Sequence, residues 1–122
     1  MSRPIGASYH VPHGLSNAML LPTVTEYSIP GAPDRYADCA RAIGAANYND
    51  TPDVAISKLM DELVSLNKEL KVPSLKEFGV DGNHFSTNLQ TMAKQAISSG
   101  SPSNNPRVPD IEDIVKLYKK LW

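Results

Sequence analysis

Two histidines stand three residues apart near the start of the chain, in His10-Val11-Pro12-His13-Gly14. Neutral imidazole is the commonest biological metal ligand, so the pair could face one ion. Pro12 between them argues against a regular helical i, i+3 pair, because it fixes φ and removes a backbone donor. His13 followed by Gly14 suits a helix start, where the backbone can approach a bound group. Surface or capping histidines nonetheless account for such a pair more often than a metal does. A complete metal site takes three or four protein ligands. The third histidine, His84, stands in Asp81-Gly82-Asn83-His84, which reads as a turn before a helix and makes it a solvated capping residue. No carboxylate lies at ligand spacing from His10 or His13, so the residues alone supply one or two ligands and no complete site.

Other chemistries leave weaker marks. There is no Gly-x-Gly-x-x-Gly run and no phosphate-binding Gly-Lys loop, and the glycines fall where helices end. Cys39 sits beside apolar positions with no His or cation next to it, which describes a half-buried structural cysteine rather than a nucleophile. As the single cysteine it also excludes an internal disulfide and any multi-cysteine metal site. Ser16 has no triad partners to recommend it. Lys116, Lys119 and Lys120 fall on the solvent side and at the end of the last helix, where they complement its dipole.

Helices must position these residues, because the periodicity is helical almost throughout. Ile56, Leu59, Met60, Leu63, Leu66 and Leu70 keep close to one stripe, with Thr51 as N-cap, Pro52 at the first helical position and Pro73 closing the segment. Pro33 starts a shorter helix with Tyr36, Ala40 and Ile43 inward and Gly44 after its end. Phe85, Leu89, Met92, Ala93 and Ala96 form another stripe, ended by Gly100. The last helix begins after Pro109 with Asp110 as N-cap and Asp113 three residues on. It turns Ile111, Ile114, Val115, Tyr118 and Trp122 inward. His13 to Ile29 reads as a helix kinked at Pro22. Ser98 to Pro106 is the one long loop, and no alternating strand pattern persists. The fold class is all-α.

The 122 residues fit one domain and cannot hold both a dinucleotide-binding domain and a separate substrate domain. Twelve Lys and Arg against 13 Asp and Glu give a net charge of −1, which leaves no electrostatic footprint for nucleic acid or an anionic membrane. No apolar run approaches the ~20 residues of a membrane span, and the first residues hold no signal-peptide core. A cytoplasmic location is the expectation.

Longer segments resemble a known family. Met1-Ser2-Arg3-Pro4-Ile5-Gly6-Ala7, then His10 to Pro22, looks like a signature of the iron-containing alcohol dehydrogenases. Arg35-Tyr36-Ala37-Asp38 with Ala42-Ile43-Gly44 resembles the family's next helix. Val72-Pro73 followed by Leu75 to Val80 is similar to its short helix ending in Gly-Val. Asn105-Pro106-Arg107, Asp113 to Tyr118 and the final Trp122 are similar to its carboxyl end. The resemblance covers essentially the whole chain.

It implies a fold, a chemistry and a missing part. Family members join an amino-terminal α/β domain that binds NAD(P) to a helical domain that carries the metal. Iron(II), or zinc in some members, is held by one Asp and three His. The metal polarises the alcohol oxygen as hydride leaves for nicotinamide. His13 corresponds to the last of these histidines, and another belongs two positions before Met1. The expectation is therefore a single helical domain, 1–122, without the nucleotide-binding domain as partner, and inactive and free of specific metal by itself. Arg3 stands where several members carry histidine, and a guanidinium suits an anionic group better than proton shuttling. His10 is expected near the metal without binding it. Ser101, in the loop Ser99–Asn105, is expected at the substrate entrance. Two readings of the short chain stand side by side: a fragment of a dehydrogenase, or an independent non-catalytic helical interaction module derived from one. Helix faces without their usual cover would expose apolar patches, so sedimentation should register self-association.

Overall fold

A computed structural model describes all 122 residues. They form six α-helices, two 3-10 turns and no strand: α1 Ser2–Tyr9, α2 His13–Ser28, α3 Pro33–Ala42, α4 Pro52–Glu69, α5 Gly82–Ser98 and α6 Ile111–Lys119, with 3-10 turns at Ile29–Gly31 and Ser101–Asn104. No helix is long and apolar enough to cross a membrane.

The starts and stops follow from the residues at the ends. The Thr51 hydroxyl accepts from Val54 N and opens α4, with Pro52 in its first turn where a missing N–H costs nothing. Asp110 and Asp113 exchange side-chain and backbone bonds as a full capping box for α6. Gly44 and Gly100, at φ 80° and 73°, end α3 and α5 in the left-handed region that a Cβ disfavours. Asp81 caps α5 by accepting from His84 N, so His84 lies in the first turn of a helix rather than before one. α2 runs unbroken through Pro22.

Packing produces two cores. The larger gathers Ile5, Met19, Leu20, Phe85, Met92 and Ile114, with Tyr118 fully buried among them, and so joins α1, α2, α5 and α6. The smaller lies between α3 and α4 and consists of Ala37, Ala40, Ala46, Ala55 and Leu59.

Several sequence expectations are corrected here. Ile43 follows the last turn of α3 and is 58% exposed, not inward. Leu66 and Leu70 continue the α4 stripe but lie outside both cores, 39% and 65% exposed. Cys39 is exposed, because it falls between the buried Ala37 and Ala40 on the outer side of α3. Trp122 lies beyond α6 and stays 37% exposed while stacking on Phe85 at 4.9 Å. The expected short helix after Pro73 is a single turn, closed by Gly79. The long loop holds the second 3-10 turn, and Ser98 is the last residue of α5.

Candidate functional site

The corner between α1 and α2 is built by backbone chemistry. His10 caps α1 in the left-handed conformation, φ 56°, and its N–H donates to Gly6 O. Val11 is buried and anchors the corner. Pro12, in an extended conformation with ψ 140°, then redirects the chain into α2, whose first residue is His13. Ser16 is fully buried and its hydroxyl donates to Pro12 O at 3.2 Å, so it braces the corner and is no nucleophile. His10, His13 and Gly14 are left exposed at the corner, as is Arg3 on α1.

Nowhere in the chain do three His, Cys, Asp or Glu side chains converge in a way that could hold a metal ion. The donor set of these residues therefore does not fit a complete iron or zinc site. His84 stands apart, exposed, with its ring edge-on to Tyr9 at 5.4 Å.

Ser101 belongs to a different place. It lines an apolar cavity of about 440 Å³ with Ser2, Leu20, Leu21, Val24 and Pro102. Arg3, His10 and His13 do not line it. α1 runs between the two places, with its first residue at the cavity and its last before His10.

One cluster beside the cavity is legible in the sequence only in part. Asp113 is marked as a capping partner and Asn105 to Arg107 belong to the carboxyl-end resemblance, but nothing in the sequence marks their contact with Tyr27. The Tyr27 hydroxyl donates to Asp113 Oδ2 at 2.7 Å, and the Arg107 guanidinium lies over the Tyr27 ring at 4.2 Å. Asn105 Nδ2 donates to Ser28 Oγ at 2.8 Å and to Arg107 O at 2.7 Å. Together they pin the 3-10 turn that carries Ser101 to the ends of α2 and α6. Burial, followed by the bond to Asp113, raises the Tyr27 pKa. The bond from Tyr27 is the largest cause that lowers Asp113 below the ordinary carboxyl value of 3.8. The unfolded chain then holds the proton to higher pH than the folded one. The contribution is complete above the unfolded value and is lost as pH falls through the lower folded value. Asp113→Asn should flatten the acid side of the stability–pH curve between those values, measured by urea unfolding at each pH. An unchanged acid limb would contradict the assignment.

Residues 1–122 match the model of the "Fe-containing alcohol dehydrogenase family, C-terminal" from end to end. The chain belongs to the iron-containing alcohol dehydrogenase family. Lactaldehyde reductase of Escherichia coli (strain K12) is 32% identical over 123 residues, covering 100% of this chain and 31% of that enzyme. The NADPH-dependent butanol dehydrogenase of Clostridium saccharobutylicum is 29% identical over the same span, again 31% of its length. A crystal structure of 1,3-propanediol oxidoreductase superimposes with a TM-score of 0.88 at 27% identity, over 99% of this chain and 31% of that one. The all-helical architecture is thus that of the helical part of an iron-containing alcohol dehydrogenase. The chain spans just under a third of the length of these relatives.

Proposed function

We propose that these residues are the metal-facing helical part of an NAD(P)-dependent alcohol dehydrogenase, interconverting alcohol and aldehyde, and that His13 is its last metal ligand. The observation that carries this reading is the α1–α2 corner: Pro12 sets the chain so that an exposed imidazole heads α2 within the family's signature segment. His10 flanks that imidazole without ligating. Arg3, exposed on α1 and outside the Ser101 cavity, meets an anionic group or shapes the pocket that the nucleotide-binding domain would complete. Ser101, at the cavity with Ser2, borders the substrate entrance. Iron(II), or zinc, would be completed by ligands from outside these residues, and nicotinamide would be held by an α/β domain. With one family ligand of four, the chain by itself is silent in catalysis, since a lone imidazole does not compete with water for iron(II).

The test has two arms. The 122-residue chain, given iron(II) or zinc, NAD or NADP and simple alcohols, should show no turnover and no stoichiometric metal by atomic absorption. Turnover abolished by His13→Ala would overturn the silence of the isolated chain. Joined to a nucleotide-binding domain of the family, the same chain should retain about one iron per polypeptide, and His13→Ala should lower that occupancy about 10-fold or more, the scale seen for perturbed metal sites. Unchanged iron content in His13→Ala would remove His13 from the ligand set.

A further inference from the structure

The two cores share no buried residue. The larger is made mostly of large side chains, whereas the smaller holds four alanines and Leu59. Stabilisation scales with apolar area withdrawn from water, and an alanine contributes little of it. α3 is ten residues long, too short to persist alone in water, so it depends on α4.

Polar contacts repeat the division. Arg41 bonds Asp38 at 2.8 Å and Asp50 O at 2.9 Å, Lys58 pairs with Asp50 at 2.7 Å, and Asn47 N donates to Asp50 at 2.8 Å. All of these close within the α3–α4 hairpin. Its side-chain hydrogen bond to the rest of the molecule runs from Asn67 Nδ2 to Ala18 O on α2, at 2.8 Å.

Both ends of the hairpin are pinned to the larger body. Before it, Ser28 bonds Asn105, and Gly31 lies against the Pro106 backbone. After it, Val72 packs on the larger core and Leu75 N donates to Leu121 O at 2.9 Å. Between pins and helices the backbone leaves the helical region at Ala32, φ −159° and ψ 58°, and at Lys71, φ 54°. The second is a left-handed conformation in a residue with a side chain, which a turn must hold in place.

We propose that the α3–α4 hairpin is a hinged unit that opens as a whole from the body of α1, α2, α5 and α6, pivoting at Ala32 and Lys71. Such openings are drawn from regions with few buried apolar contacts. Once released from α2 the hairpin, with four alanines and Leu59 as its core, no longer holds its helical hydrogen bonds. Opening uncovers the flank of α2 at Ala18, on the helix that His13 begins. The hairpin is thus a movable cover over that helix.

Native-state hydrogen exchange on the complete 122-residue chain, across low urea concentrations, tests this. Amides of Ala40, Leu59 and Leu63 should exchange through one shared opening, at least about tenfold less protected than those of Met92 and Ala93 in α5. Asn67→Ala removes a bond that only the closed state makes. It should speed exchange in the hairpin about fivefold, the loss of one hydrogen bond, and speed α5 by no more than that. A single opening shared by α4 and α5 would overturn the proposal, and so would separate openings for α3 and α4. Unchanged exchange in the hairpin of Asn67→Ala would overturn it too. The unsubstituted chain carries the main comparison, so the result does not depend on how the variant folds.

Discussion

Replacing Tyr118 by alanine should lower the unfolding free energy by about 3–5 kcal/mol, the range for emptying a large aromatic from a core. Tyr118 is the largest fully buried side chain, and its ring sits in the larger core, which joins α1, α2, α5 and α6. Its hydroxyl donates to Met1 O at 2.8 Å, so the residue also ties the start of α1 to the last helix. Burial, and to a lesser degree the nearby Tyr9, raises its pKa far above the ordinary value, which keeps the phenol protonated and able to donate. Tyr118→Phe separates the two contributions. It retains the packing and loses the hydrogen bond, for about 1 kcal/mol. Urea midpoints of the two variants measure the split. Equal losses in both would mean that the hydroxyl, and not the ring, dominates.

Gly31→Ala should cost about 1–3 kcal/mol, an overpacking penalty at a site with no room. A Cβ there would lie 2.5 Å from Pro106 O, 2.6 Å from Pro106 C and 2.8 Å from Arg107 N. All three are backbone atoms and cannot rotate away. The turn after α2 must therefore separate from the 104–107 segment, straining the Ser28–Asn105 bonds and shifting the wall that carries Ser101. Gly14→Ala is the matched control, because nothing lies within 4 Å of the added atom. Within α2 it should be neutral or stabilise by up to about 1 kcal/mol through helix propensity. Thermal unfolding of both variants decides the matter, and equal melting temperatures would rule out the close approach at Gly31.

Helix ends were legible because their chemistry is local. Thr51-Pro52, the Asp110 and Asp113 pair, and Gly44 and Gly100 act within one turn of their own positions. The helix over Ser2–Tyr9 was not legible: it is eight residues long and contains Pro4 and Gly6. Pro4 falls in the first turn, where its missing N–H has no intrahelical partner to lose. Periodicity shows which residues share a face, and it does not show how far a neighbouring helix extends. Leu66 and Leu70 keep the stripe of Leu59 yet stay exposed outside both cores, so the stripe is longer than the core. Trp122 keeps the spacing of the α6 face yet lies beyond it, because α6 ends at Lys119.

The candidate site divides in the same way. The α1–α2 corner could be located from His10 to Gly14, because prolines and glycines mark it. Family membership rests on the whole of residues 1–122. The Tyr27, Arg107 and Asp113 cluster could not be found by local reading. Its members lie as far as 86 positions apart, and the local role of Asp113, as capping partner of Asp110, gives no hint of Tyr27. That Ser101 shares a cavity with Ser2 while His13 does not is likewise a product of tertiary packing.

Trp122 gives the molecule an optical property of its own. It is the single tryptophan, stacked on Phe85 with an interplanar angle of 19° and so placed that a Cβ at Gly82, at the start of α5, would meet its ring. Its emission therefore reports on the α5–α6 end of the larger body, away from the core of α3 and α4. Circular dichroism at 222 nm, in contrast, weights every helix by its length. Fluorescence and ellipticity thus watch different parts of one polypeptide, with no label added.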